Sequence, residues 1–272
     1  MTGVQRIAEA FESARASGRR AALMPYLMGG FPDLDTSRRI GLEYVRSGAD
    51  LVELGVPFSD PLADGPVIHA AGTAALRAGA KLADVLSHVG RAIEQEGVPV
   101  VVMCYANPIL VRGLDRFADA LVDAGISGLI VPDLPLEEAS ATLQACDERG
   151  LALVPLVAPT TPESRLERIG AQARGFVYTV SVTGTTGERT ALQDGLAGVV
   201  ARAAAATTAP IAVGFGISTP EQAAAAAAAG ADGVIVGSRL VRAAGEDGGD
   251  PVAAVGALVR DLAAGLAEAT VG

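Results

Sequence analysis

"SGADLVELG" (residues 47–55), "AGISGLIVPD" (124–133) and "AGADGVIVG" (229–237) are three versions of one local pattern. Each places a glycine (Gly48, Gly125, Gly230) just before a short apolar run, and each follows a stretch with helical spacing. Glycine adopts left-handed backbone without a Cβ penalty, so it is the residue that ends a helix abruptly. "ERGLALVP" (148–155) uses Gly150 in the same way. The unit is helix, glycine stop, strand, and the chain repeats it.

The apolar runs predict strands near Ala22–Met28, Asp50–Leu54, Pro99–Cys104, Gly128–Val131, Ala152–Val157, Gly175–Thr179, Pro210–Val213 and Gly233–Val236. They are almost continuously apolar, as parallel strands covered on both faces must be. Such strands alternating with helices predict an α/β fold, a (β/α)8 TIM barrel. A doubly wound open sheet is the alternative. An additional N-terminal helix near Val4–Ser17 is expected to cap the barrel's bottom, and a last helix near Val252–Ala269 follows the surface loop "AAGEDGGDP" (243–251). No Pro/Ser-rich linker divides the chain, so residues 1–272 are expected to form a single TIM-barrel domain.

Composition narrows the function. Half of the 272 residues are hydrophobic and the formal net charge is −10. Without a basic run to neutralise phosphates, no nucleic-acid partner is expected. Cys104 and Cys146 form neither a disulfide framework nor a metal-ligand spacing, and are expected as buried thiols in a reducing cytosol. No signal-like N-terminus and no membrane-length apolar stretch are visible, so a cytoplasmic protein is expected, with no membrane partner. The two histidines, His69 and His88, lie far apart in the sequence, and Lys81 is the single lysine. A histidine-based triad or a multi-histidine metal site is hard to build from them.

In a TIM barrel the C-terminal ends of the strands face the active site. Glu53 ends such a strand inside "LVELGVPFSDPLADGP" (51–66). A carboxyl among apolar neighbours loses water and its pKa rises, which suits acid/base work near neutral pH. The bland alternative is a glutamate that reaches past the strand end to solvent. Asp60 and Asp64 follow in a loop stiffened by Pro57, Pro61 and Pro66. They read equally as aimed carboxylates or as turn-forming surface acids. "AVGFGIST" (212–219) and "VIVGSRLV" (234–241) are glycine-rich turns at the last two strands, where barrels often bind phosphate. "SVTGTTGERTALQDG" (181–195) is long for a strand-to-helix connection and reads as a lid. Tyr26, Tyr105, Tyr178 and Phe215 recur at strand ends and suggest a flat substrate carrying a phosphate.

With "PYLMGGFP" (25–32), "YANP" (105–108), "VPDLP" (131–135), "GFVYTVSVTGTTG" (175–187), "GFGIS" (214–218) and "VGSRLV" (236–241), the 51–66 stretch resembles the tryptophan synthase alpha subunit family in order and spacing. That resemblance implies retro-aldol cleavage of indole-3-glycerol phosphate to indole and glyceraldehyde 3-phosphate. It implies Glu53 as the proton-transfer group, Asp64 as acceptor of the indole N–H, and Tyr178 as the site's tyrosine. Gly187, Gly216, Gly237 and Ser238 match the phosphate site. Tyr26, Met103, Ile130 and Phe215 match the indole pocket, and Thr186 the lid. The implied partner is a beta subunit in an alpha2-beta2 heterotetramer, contacted through Pro57, Asp60, Asn107 and Pro108. Pyridoxal phosphate is expected only in that partner, and neither cofactor nor metal in this chain. Two features depart from the pattern. Tyr26 stands where some relatives carry Phe, and the sequence around Thr183–Gly187 differs from the family's usual lid.

Aldol cleavage usually needs a Schiff-base lysine or a metal as electron sink. Lys81 is expected in a helix–helix connection. An indole ring protonated at C3 is its own sink, so two carboxylates suffice.

Overall fold

The computed structural model describes residues 1–180, 189–214, 216–246 and 248–268, with 189–194 and 268 as backbone only. Its strands are β1 (Ala22–Met28), β2 (Val52–Gly55), β3 (Val100–Met103), β4 (Gly128–Ile130), β5 (Ala152–Val154), β6 (Leu156–Val157), β7 (Val177–Val180), β8 (Ile211–Gly214) and β9 (Gly233–Val236). All pair in parallel, in the order β5-β4-β3-β2-β1-β9-β8-β7-β6. The two ends of that order are neighbours in the chain, because β5 and β6 flank Pro155. Proline has no N–H to give the ladder. Its carbonyl still accepts from the Tyr178 amide at 2.9 Å. The fifth strand therefore pairs with β4 before the proline and with β7 after it, and this switch closes an eight-stranded TIM barrel. A continuous fifth strand over Ala152–Val157 was expected; Pro155 interrupts it.

The expected helix stops are present. Gly48, Gly125, Gly150 and Gly230 have φ of 101°, 76°, 67° and 98°. In two of the three repeats the strand's leading aspartate has a structural task. Asp50 accepts from the Leu23 amide at 2.7 Å and Asp232 from the Ile211 amide at 2.8 Å. Arg19 pairs with Asp50, and Arg15 with Asp232. Each carboxylate thus ties the foot of a neighbouring strand to an arginine, Arg15 in the last turn of the N-terminal helix and Arg19 just beyond it.

Side chains alternate across each strand. Leu23 and Leu27 of β1, with Val52 and Leu54 of β2, pack outward in the large cluster shared with the helices. Ala22, Met24, Leu51, Val101, Ile130, Ala152 and Phe176 form a second cluster inside the barrel. The N-terminal helix, Gly3–Ala16, closes that cluster from below. It begins with a reciprocal cap between Thr2 and Gln5, and it buries Ile7, Phe11 and Ala14. The Phe11 ring lies 5.9 Å from that of Phe176. Burying Ile7 and Phe11 together stabilises this docking by about 3–6 kcal/mol. Glu53 and Gly55 share the parity of Leu51 and so point into the barrel, above this layer.

Candidate active site

Glu53 is 1% exposed, and among the described residues neither of its carboxylate oxygens has a hydrogen-bond partner. A buried polar atom without a partner is costly, so such a group in a folded protein calls for a reason. Burial, helped by the nearby Asp64 charge, pushes its pKa up to about 8. At neutral pH Glu53 therefore keeps its proton, and it can give that proton and take one back.

Two tyrosines share this interior. Tyr26 is the cross-strand neighbour of Glu53 in the β1–β2 register, and Tyr178 lies on β7. Both are buried, and burial raises both phenols well above their ordinary pKa. Each hydroxyl lies across the terminal glycine of the next strand in the barrel. A Cβ built on Gly55 would sit 2.0 Å from the Tyr26 oxygen, and one on Gly214 would sit 2.4 Å from that of Tyr178. These two glycines have no Cβ because a phenol fills the space.

Asp64 is half-buried in the loop after β2. It accepts from the Tyr105 hydroxyl at 2.9 Å through Oδ1. That hydroxyl in turn accepts from the Ala63 amide at 3.0 Å, and the Tyr105 ring stacks on Phe58 with centroids 5.3 Å apart. Burial raises the Asp64 pKa, while the Tyr105 hydrogen bond and the His69 charge oppose the rise. Asp60, by contrast, is exposed, and the Ser59 hydroxyl donates to it. The two loop acids, equivalent in the sequence, are separated by the structure into one held toward Glu53 and one facing outward.

Met103 and Ile130 occupy adjacent inward positions on β3 and β4. Gly216 has φ of +79°, a backbone conformation that glycine tolerates best. Gly237 precedes the short helix Ser238–Ala244, and its Cβ position would lie 3.6 Å from Tyr26 Cβ. The turn after β9 thus adjoins the tyrosine that neighbours Glu53. Pro57 is buried, Asn107 is exposed and Pro108 is half-buried, the last two in the helix Ala106–Arg112. Lys81 is exposed in the connection between two helices. Thr183, Thr186, Gly187 and Phe215 lie outside the described residues, as does the 181–188 stretch read as a lid. Among the described residues no cluster of three or more His, Cys, Asp or Glu is placed to hold a metal. No helix among them is long and apolar enough to cross a membrane.

The sequence did not mark Tyr105 as the partner of Asp64, nor Gly55 as the room for Tyr26. Leu62, Leu110 and Val111, which are 89%, 70% and 83% exposed, were also missed. The run "ILVR" (109–112) after Pro108 was the available signal for the last two.

A TIM barrel with a buried, raised-pKa glutamate at its mouth and a second carboxylate beside it has the arrangement of groups that acid/base chemistry requires. Comparison with known proteins makes this particular. The family model described as "Tryptophan synthase alpha chain" matches residues 11–268. The tryptophan synthase alpha chain of Synechococcus elongatus is 49% identical over 256 residues, covering 94% of this chain and 95% of that one. The alpha chain from Prochlorococcus marinus is 49% identical over 236 residues, covering 87% and 86%. Among solved structures, tryptophan synthase from M. tuberculosis in its open form superposes with a TM-score of 0.87 at 42% identity, covering 96% and 98%. The alpha subunit from Legionella pneumophila gives 0.88 at 37%, covering 97% and 98%. The chain belongs to the tryptophan synthase alpha chain family.

Proposed function

We propose that this chain is a carbon–carbon lyase that cleaves indole-3-glycerol phosphate into indole and glyceraldehyde 3-phosphate, and that Glu53 moves the protons. The observation that carries the assignment of Glu53 is its burial at the barrel mouth with both oxygens unpartnered among the described residues. The protonated carboxyl gives its proton to C3 of the indole, which leaves a cationic ring. Asp64 accepts the ring N–H and stabilises the positive charge as it develops. Glu53, now ionised, takes the proton of the glycerol hydroxyl next to the ring. The carbon–carbon bond breaks, its electrons restore the indole, and the oxygen becomes the aldehyde. One proton is given and one taken, so Glu53 ends as it began.

Tyr178 and Tyr26 wall the reacting centre, and Met103 and Ile130 continue the wall for the flat ring, with Phe215 expected to join them. Gly216, Gly237 and Ser238, together with Gly187, bind the phosphate, and Thr186 belongs to the lid. These four groups of backbone and hydroxyl donors suit an anion. The chain needs no cofactor of its own for this route, because the protonated ring accepts the electrons. Pyridoxal phosphate belongs to the beta subunit that consumes the indole. A cytoplasmic location is part of the same proposal.

The beta subunit docks on Pro57, Asp60, Asn107 and Pro108, in an alpha2-beta2 assembly. Exposed large apolar residues support that surface. Of six among the described residues, Leu62, Leu110 and Val111 fall on these two segments. The stack of Phe58 on Tyr105 holds the segments together. Incubating the purified chain with indole-3-glycerol phosphate, alone and with a beta subunit, tests the activity. Equimolar indole and glyceraldehyde 3-phosphate, released faster with the partner, is the expected result. No product under either condition contradicts it.

A further inference from the structure

We infer that Tyr105 is a positioning residue for Asp64, and that its hydroxyl and ring connect the partner-facing surface to that carboxylate. The inference deepens the proposed reaction and rests on it.

The hydroxyl sits between two groups with opposite needs. It donates to Asp64 Oδ1 at 2.9 Å and accepts from the Ala63 amide at 3.0 Å. A phenol with its one proton committed to Asp64 has only lone pairs left, and the amide uses one. The arrangement fixes the backbone just before Asp64 and one of its carboxylate oxygens together. Tyr105 makes no other side-chain hydrogen bond among the described residues, and its contact spans 41 residues of chain. Among the described residues no hydrogen bond reaches the second Asp64 oxygen, which the proposed reaction assigns to a ligand N–H.

The ring has separate work. It stacks on Phe58, the residue between Pro57 and Asp60 in the first partner-facing segment. Tyr105 is also the residue from which the helix Ala106–Arg112 starts, and that helix carries exposed Leu110 and Val111. The Ala106 amide is held by Asp133 Oδ1 at 2.9 Å, so the start of that helix is anchored on the side away from Asp64. A partner pressing on either segment moves the Tyr105 ring, and the hydroxyl carries that displacement to Asp64. Phe58 and Tyr105 thus form a physical link of the kind allosteric coupling requires.

The charged and titratable groups facing Asp64 among the described residues are Glu53 of β2, Tyr26 of β1, Tyr105 after β3 and His69 of the helix Pro66–Arg77. Of these, the Tyr105 hydrogen bond and the His69 charge favour the ionised carboxylate. Removing the hydroxyl leaves burial less opposed, so Asp64 must take up its proton at higher pH.

The test is Tyr105→Phe, which keeps the ring and the stack, alongside Phe58→Leu, which keeps the hydroxyl. Carboxyl-carbon NMR of Asp64 is followed through a pH titration in wild type and Tyr105→Phe. Cleavage of indole-3-glycerol phosphate is measured against pH with and without saturating beta subunit. Tyr105→Phe is expected to titrate Asp64 at higher pH, to shift the acidic limb of kcat/KM the same way, and to lower kcat/KM about tenfold or more. Phe58→Leu is expected to leave the Asp64 titration in place while reducing the stimulation by the partner at least threefold. An Asp64 titration unchanged in Tyr105→Phe overturns the positioning role. Full partner stimulation in Phe58→Leu overturns the link. If wild type cleaves nothing, the reaction is wrong, and the NMR titration still decides the positioning role.

Discussion

Replacing Glu53 by Gln should abolish cleavage and, at the same time, make the protein increasingly more stable than wild type as pH rises. The sign follows from the pKa. In the folded chain the carboxyl titrates at about 8, against an ordinary 4.5. The folded state therefore holds a proton that the unfolded state releases between those values. Stability is full below the unfolded value and falls as pH rises through the interval, levelling off above the folded value. One pKa unit corresponds to about 1.4 kcal/mol, so between pH 5 and pH 8 wild type loses roughly 3 kcal/mol that the neutral Gln variant keeps. Both side chains leave polar atoms unpartnered, so that cost cancels in the comparison. Urea melts of wild type and Glu53→Gln at pH 5, 6, 7 and 8 read the difference directly. A gap in unfolding free energy that widens with pH in favour of the variant is expected. Curves that stay parallel across this range would refute the burial argument, and with it the reason for a proton on Glu53 at neutral pH.

Three further outcomes follow from the geometry. Gly55→Ala would place a Cβ 2.0 Å from the Tyr26 oxygen; moving that phenol should cost about 1–3 kcal/mol of stability and lower kcat/KM more than tenfold, by denaturation and initial-rate assays. Asp50→Asn breaks a largely buried ion pair with Arg19 and weakens the hydrogen bond from the Leu23 amide; it should destabilise by about 3 kcal/mol, while Arg15→Ala, whose arginine is 53% exposed, should cost under about 1 kcal/mol. Val111→Asp should leave the chain's own melting unchanged, since the side chain is 83% exposed, and weaken beta-subunit binding at least tenfold by titration calorimetry.

What the sequence revealed was what the backbone and hydropathy alone decide. Gly48, Gly125, Gly150 and Gly230 announced the helix stops because left-handed backbone demands glycine whatever surrounds it. Glu53 stood out because a charge in an apolar strand has few structural excuses. The split of the fifth strand was written as Pro155 in "ALVPLV" (152–157), yet its meaning depended on which strands lay on either side. The task of Asp50 and Asp232 was hidden for the same reason. An aspartate before a strand looks like a turn residue until the neighbouring strand's free amide is in place. Tyr105 shows the limit most clearly. Its bond to Asp64 exists only because β2 and β3 are adjacent and the intervening loop folds back over the mouth. Gly55 and Gly214 could not be read as room for phenols, because the phenols come from other strands.

The most direct test is indole release from indole-3-glycerol phosphate at pH 7 by wild type and Glu53→Gln, each saturated with a beta subunit and each confirmed folded. Glu53→Gln keeps the shape of the side chain and removes only its ability to exchange a proton. Cleavage by wild type, with at least a thousandfold loss in Glu53→Gln and binding of the substrate retained, is the predicted result. Glu53→Gln turning over within tenfold of wild type would contradict the assignment of proton transfer to Glu53.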